Sequence, residues 1–328
     1  MSFPGARTDR DEAAYVLVGA PLDATTTFQP GTRFGPDRVR RFAETFDDYD
    51  RRTDAAFTDL GVHDAGDLHA WDDVPAYLAF LRGELSDAVD DGAVPLLLGG
   101  EHTVTAAGLG AVRPDVAVVV DAHLDLRDAY DGNPWSHACV LRRGLDGGPD
   151  WIDANSLDGD RGGDEDDSGA GDRRDGDSNG PGRATGRSTG ADWPPSVDRL
   201  VVLGARTGSP EEWERADAPD VTVVPPEDVP EWTAAAADDG RFAGERVYLS
   251  VDVDGLDPAY APGTGTMEPF GLAPREVRAV VRTVAPHAAG CDVVEVNDRD
   301  DGQAAAVAGK LLREFVYSHA AEAESDEV

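Results

Sequence analysis

The chain sets acidic residues and histidines where a pair of metal ions could be held. The densest stretch is Asp121-Ala-His123-Leu-Asp125, directly after the apolar run Val116 to Val120. A second is Asp252-Val-Asp254, after Val247-Tyr-Leu249, and a third is His102 in Gly99-Gly-Glu-His102-Thr. In extended backbone the side chains of Asp121, His123 and Asp125 point to one side, about 6–7 Å apart. They would form half a site for a divalent cation. Asp252 and Asp254 offer the other half, and His102 adds a nitrogen. Four carboxylates and two imidazoles exceed what one small ion needs. Carboxylates can bridge two ions, so the pattern implies a binuclear site. Oxygen and imidazole ligands without thiolate suit Mn²⁺ better than a structural zinc, and Ni²⁺ or Co²⁺ accept the same set. A lone Asp-x-His is more often an ordinary polar strand end. Three clusters in one strand-end context are harder to read that way.

Each cluster ends a short apolar run, and such runs must position it. Eight recur: Tyr15 to Val18, Thr58 to Val62, Val94 to Leu98, Val116 to Val120, Leu200 to Leu203, Val221 to Val224, Val247 to Ser250 and Val293 to Val296. They do not alternate with polar residues, which suits strands buried on both faces of a parallel sheet. Helix candidates lie between them: Gly35 to Arg51, Val74 to Asp90, Arg275 to Val284 and Gln303 to His319. The alternation predicts one α/β domain of three layers spanning residues 1–328. Open parallel sheets bind ligands at the carboxyl ends of their strands, where these clusters fall. Residues 156–192 are crowded with Gly, Asp, Arg and Ser and read as a disordered insertion. The acidic end, residues 320–328, is expected to fray.

Composition narrows the partners. There are 65 acidic residues against 29 basic ones, a net charge of −36, and Lys310 is the only lysine. This balance argues against nucleic acid and anionic membrane. The excess is spread over the chain, which reads as halophilic adaptation rather than one steering patch. Two cysteines, Cys139 and Cys291, are too few for a disulfide framework. No signal peptide and no apolar stretch of about 20 residues is apparent, so a cytoplasmic location is expected.

The motifs together resemble the ureohydrolases, the agmatinase and arginase family. The resemblance runs from about Val16 to about Phe315. It rests on Pro30-Gly-Thr-Arg-Phe-Gly-Pro36, Gly99-Gly-Glu-His-Thr103, Asp121-Ala-His-Leu-Asp125, Ser136-His137-Ala138 and Gly204-Ala-Arg206. Ser250-Val-Asp-Val-Asp-Gly-Leu-Asp-Pro258, Ala261-Pro-Gly-Thr264 and Asp292-Val-Val-Glu-Val-Asn297 complete it. It implies a three-layer α/β/α fold with an eight-stranded parallel sheet, two Mn²⁺ ions and a homo-oligomer. Carried over, His102, Asp121, Asp125 and Asp252 would hold one ion. His123, Asp121, Asp252 and Asp254 would hold the other.

Two cations so held would lower the pKa of a water between them enough to make a nucleophile near neutral pH. On the family pattern Asp125 orients it, Glu295 pairs with the guanidinium of a small cationic substrate, and His137 carries a proton to the leaving amine. The loop Leu126 to His137 lacks the Asn and Ser pattern of arginase-like members and resembles agmatinases. The expected reaction takes agmatine and water to putrescine and urea. Arginase and guanidinobutyrase activities are the near alternatives; a metallophosphoesterase or a non-catalytic binding module is more remote. Met267 and Phe270 replace the family's usual Pro and Gly, and Asp298 its usual Pro. Phe270 is expected close to the site, where it could reshape the pocket. Trp135 could wall the channel or belong to the core.

Overall fold

The computed structural model describes residues 1–148 and 193–326. The segment read as an insertion, residues 156–192, lies outside them.

Eight parallel strands form the central sheet. In chain order they are β1 (Tyr15–Ala20), β4 (Val62–Asp67), β5 (Val94–Gly99), β6 (Val116–Val120), β7 (Arg199–Leu203), β8 (Val221–Val224), β9 (Val247–Asp252) and β10 (Ala288–Val294). A two-stranded antiparallel hairpin, β2 (Tyr49–Asp50) with β3 (Ala55–Ala56), stands apart. Across the sheet the order is β4-β1-β5-β10-β9-β6-β7-β8. From β5 the chain skips two positions to β6, and the gap is filled later by β9 and β10. Such a switch in strand order opens a crevice at the carboxyl ends. The four strands around it are those that precede the ligand candidates and Glu295.

Apolar residues on both faces explain why β6 is central. Val116, Val118 and Val120 pack into one core cluster, while Ala117 and Val119 pack into the other. Helices cover both faces: α1 (Gly35–Ala43), α2 (Val74–Asp90), α3 (Thr105–Val112), α4 (Val140–Asp146), α5 (Pro210–Ala216), α6 (Val229–Asp238), α7 (Pro274–Val284) and α8 (Gln303–Asp326). The Asp73 side chain caps α2 by accepting from the Ala76 amide, and α5 opens on a Ser209–Glu212 capping box.

Several expected bounds shift. The strand expected over Thr58 to Val62 is a tight helical turn at Phe57–Asp59, and β4 runs Val62–Asp67 instead. Its polar sequence hides it because it is an edge strand. Its Asp64 and Asp67 pair with the buried Arg40 of α1. Helix α1 stops at Ala43, not Arg51: the Glu44 and Phe46 amides turn back to Arg41 O and Ala43 O, and Thr45 Oγ1 donates to Phe42 O at 3.0 Å. Strand β10 ends at Val294, before Glu295, whose φ of 62° breaks the extended run. Helix α8, expected to His319, runs to Asp326.

Candidate metal centre

The six expected ligands converge at the carboxyl ends of β5, β6 and β9. His102 opens a short helical turn after β5, Asp252 closes β9, and Asp254 lies in the turn that follows. Residues 121–125 follow β6 but do not stay extended, contrary to expectation. The His123 amide donates to Asp121 Oδ1 at 2.7 Å, and Asp125 is left-handed with φ 49°. A turn, not strand alternation, gathers these three side chains.

Two triads result: His102, Asp121 and Asp252 form one, and Asp121, His123 and Asp254 the other, with the ligand atoms of each within 4.8 Å of one another. Asp121 is common to both. Asp252 falls in the first triad. Asp125 stands beside the first, with its Oδ2 2.9 Å from His102 Nδ1. Around that nitrogen are also Asp121 Oδ2 at 3.1 Å and Asp252 Oδ2 at 3.5 Å. His123 Nδ1 is 3.0 Å from Asp254 Oδ2 and 3.6 Å from Asp121 Oδ1.

The donor set fits metal ions. Asp121 Oδ2 is buried without a hydrogen-bond partner. Ser250 Oγ donates to Asp292 Oδ1 at 2.6 Å, and Tyr248 donates to Asp292 Oδ2 at 2.9 Å. The Ser250 proton being so used, its oxygen accepts from His102 Nε2, 3.2 Å away. That tautomer turns the Nδ1 lone pair towards three carboxylates, an arrangement suited to a cation.

Electrostatics agree. Burial disfavours an imidazolium at His123, yet Asp254 and Asp121 outweigh it and push its pKa up to about 12. His102 is likewise driven well above its ordinary value by Asp121 and Asp125, against burial. Burial, reinforced by Asp121, raises Asp125 to about 6. A centre that holds protons this tightly is one that demands positive charge.

Glu295 and His137 meet beside it. Glu295 is buried and left-handed, a strained backbone state of the kind found at functional sites. Its Oε1 accepts from the His102 amide at 3.0 Å and faces His137 Nδ1 at 2.9 Å, while Oε2 is buried without a partner. Thr27 meets His137 Nε2 with its hydroxyl at 2.9 Å and its amide at 3.1 Å, leaving Nδ1 to face Glu295. Burial lowers the His137 pKa, but Glu295 and Asp125 prevail and push it up to about 9.

His137 borders a cavity of about 170 Å³, and Glu295 lies buried behind that wall. Its walls include His123, Asp125, His137, Asp252 and Asp254, together with Thr27, Arg127, Tyr130, Thr207, Glu212 and Thr266. Arg127 and Tyr130 belong to the loop Leu126 to His137 compared above; of the others only Glu212 carried a local signal, its place in the Ser-x-x-Glu capping box. Phe270 does not line the cavity as expected: it is 84% exposed and Met267 is 51% exposed. Asp257 Oδ2 accepts from the amides of Phe270 and Gly271, holding Phe270 left-handed with its ring in solvent. Trp135 is core, edge-on to Trp193 at 5.5 Å.

Comparison with known proteins gives this geometry its relatives. The chain is 29% identical over 324 residues to an agmatinase of Bacillus subtilis, covering 96% of this chain and 94% of the relative. It is 30% identical to an N(1)-aminopropylagmatine ureohydrolase of Thermococcus kodakarensis, covering 95% and 92%. The solved agmatine ureohydrolase of Thermoplasma volcanium superposes with a TM-score of 0.77 at 31% identity, covering 99% and 96%. The model describing the Arginase family matches residues 13–317. A parallel eight-stranded sheet with an Asp/His centre at its switch point, matched along nearly the whole chain, makes this protein a hydrolytic enzyme of the arginase family.

Proposed function

We propose that the protein cleaves a guanidinium carbon–nitrogen bond of a small cationic guanidine, agmatine first, yielding putrescine and urea. The observation that carries this reading is Glu295 Oε2, a buried carboxylate oxygen left open beside the two triads. A planar guanidinium matches a carboxylate with two parallel N–H donors. On the family pattern two Mn²⁺ ions would be held, one by His102, Asp121, Asp125 and Asp252 and the other by His123, Asp121, Asp252 and Asp254. When bound, such ions supply Lewis-acid polarisation and a water acidic enough to react at neutral pH.

The chain's own residues do the rest. Asp125 orients the attacking water by accepting its hydrogen bond. Glu295 fixes the guanidinium with its carbon towards that water. The carbon–nitrogen bond to the alkylamine breaks, the water oxygen stays on carbon, and the departing nitrogen takes a proton. His137, hydrogen-bonded to Glu295 and bordering the cavity, holds that proton. The names of two relatives support agmatine-type substrates.

One observation favours a second substrate. Arg127 on the cavity wall lies 3.2 Å from Glu212 and would suit a carboxylate-bearing guanidine such as guanidinobutyrate if it left that partner. Urea release in high KCl with Mn²⁺ from agmatine, arginine and guanidinobutyrate decides. Release from agmatine foremost supports the proposal, release only from an acid moves the substrate, and no release from any sinks it.

The acidic shell is assigned to salt adaptation, with self-repulsion relieved by screening. An unfolding temperature that fails to rise with KCl would refute that assignment. No described helix is long and apolar enough to cross a membrane. From the family resemblance we expect a homo-oligomer, which light scattering at high salt would test.

A further inference from the structure

Arg206, in the loop after β7, stands beside the metal centre rather than in it. Its hydrogen bonds go to backbone carbonyls. Nε donates to Pro269 O at 3.1 Å, and Nη1 donates to Gly204 O at 2.9 Å and Gly255 O at 3.3 Å. Nη2 donates to Glu268 O at 2.6 Å, Asp254 O at 2.9 Å and Leu256 O at 3.4 Å. One guanidinium therefore ties three segments: its own, the turn that carries Asp254, and the cavity-side loop at 268–269. That loop reaches Asp254 a second time, since Thr266 Oγ1 donates to Asp254 Oδ2 at 2.9 Å. The fit is close. A Cβ at Gly271 would lie 2.5 Å from Arg206 Nη2.

The two triads meet where the Asp254 amide donates to Asp252 Oδ1 at 2.8 Å, but their other supports differ. His102 is oriented from behind by Ser250 and Asp292. Asp254 is held through its carbonyl by Arg206 and through its carboxylate by Thr266 and the Ala122 amide. We infer that Arg206 is a positioning residue for the His123–Asp254 half of the centre and contributes little to the His102 half. Lysine cannot replace it fully. A point ammonium with three donors lacks the planar five-donor fork that spans these carbonyls.

The inference rests on the two-ion reading, and one experiment separates them. Metal-free wild type, Arg206→Ala and Arg206→Lys are titrated with Mn²⁺ by calorimetry, with His102→Ala and His123→Ala as references. Circular dichroism checks the fold of each. Outer-shell partners typically shift metal affinity 10–100-fold. The expected result is one ion retained within about 3-fold and the other weakened about 10–100-fold in Arg206→Ala, by the same outer-shell estimate. That isotherm should resemble His123→Ala, not His102→Ala, and Arg206→Lys should lie between Arg206→Ala and wild type. If Arg206→Ala does not fold, Arg206→Lys is judged by the same split. Equal weakening of both ions, or no weakening, overturns the role of Arg206 while leaving two ions in wild type. Fewer than two ions in wild type overturns the two-ion reading and this inference with it.

Discussion

Replacing Glu295 by Gln isolates charge from shape at the substrate end of the site. Glu295 is 1% exposed, and its Oε1 already accepts from the His102 amide and faces His137 Nδ1. A glutamine carbonyl in the same place keeps both contacts, so folding stability should change by no more than about 1 kcal/mol. The amide NH₂ would replace the open Oε2 and point donors at a guanidinium that offers only donors. Breaking a buried ion pair from one side costs about 3–5 kcal/mol. At about 1.4 kcal/mol per tenfold, kcat/KM for urea release should fall by about two to four orders of magnitude. The assay pairs urea kinetics with bound-metal content and unfolding temperature for wild type and Glu295→Gln. A kcat/KM within tenfold of wild type, with both ions bound, would refute guanidinium pairing by Glu295. A collapse of stability would mean that Glu295 is structural first.

Metal binding should release protons. His123 is pushed up to about 12 in the metal-free centre, so near neutrality its ring carries a proton that an incoming ion must displace. The affinity of the second ion should therefore rise about tenfold per pH unit between pH 6 and 8 for each proton lost. Calorimetry in buffers of different ionisation heat reads the proton count, and a count of zero would contradict the assignment. Arg40→Met should cost about 3–5 kcal/mol, because it strands the buried Asp64. In wild type, burial raises the Asp64 pKa but Arg40 overrides it and holds it below the usual range. Its contribution is thus present above about pH 4 and is lost as pH falls through the depressed value; acid unfolding curves check the sign. Deleting residues 156–192 should leave kcat/KM within about twofold on the sequence reading of that segment. The Gly148 amide donates to Trp193 O at 2.7 Å, so the flanking chain is already closed there. A large loss of turnover would give the segment a function.

The central strands were legible because burial on both faces writes itself as unbroken Val and Leu, as in β6. The ligand clusters were legible because chemistry restricts residue type at strand ends. The edge strand β4 was not, since its buried charges pair with Arg40, an α1 residue far from the strand in sequence. The cavity wall was also hidden. Thr27 matters through its hydroxyl and amide on His137 Nε2, a partner 110 positions along the chain. Phe270 misled for a related reason. Its direction is set by Asp257 accepting two amides, and nothing local to Phe270 announces that.

Oxygen labelling follows the attacking water to its product. With Mn²⁺-loaded protein, agmatine and H₂¹⁸O in high KCl, one ¹⁸O is expected in urea, with oxygen-free putrescine rather than a labelled amino alcohol as the co-product. That outcome places water's attack at the guanidinium carbon with loss of the alkylamine. Release of ammonia with a ureido product, or no turnover of any guanidine by protein holding two ions, would contradict it.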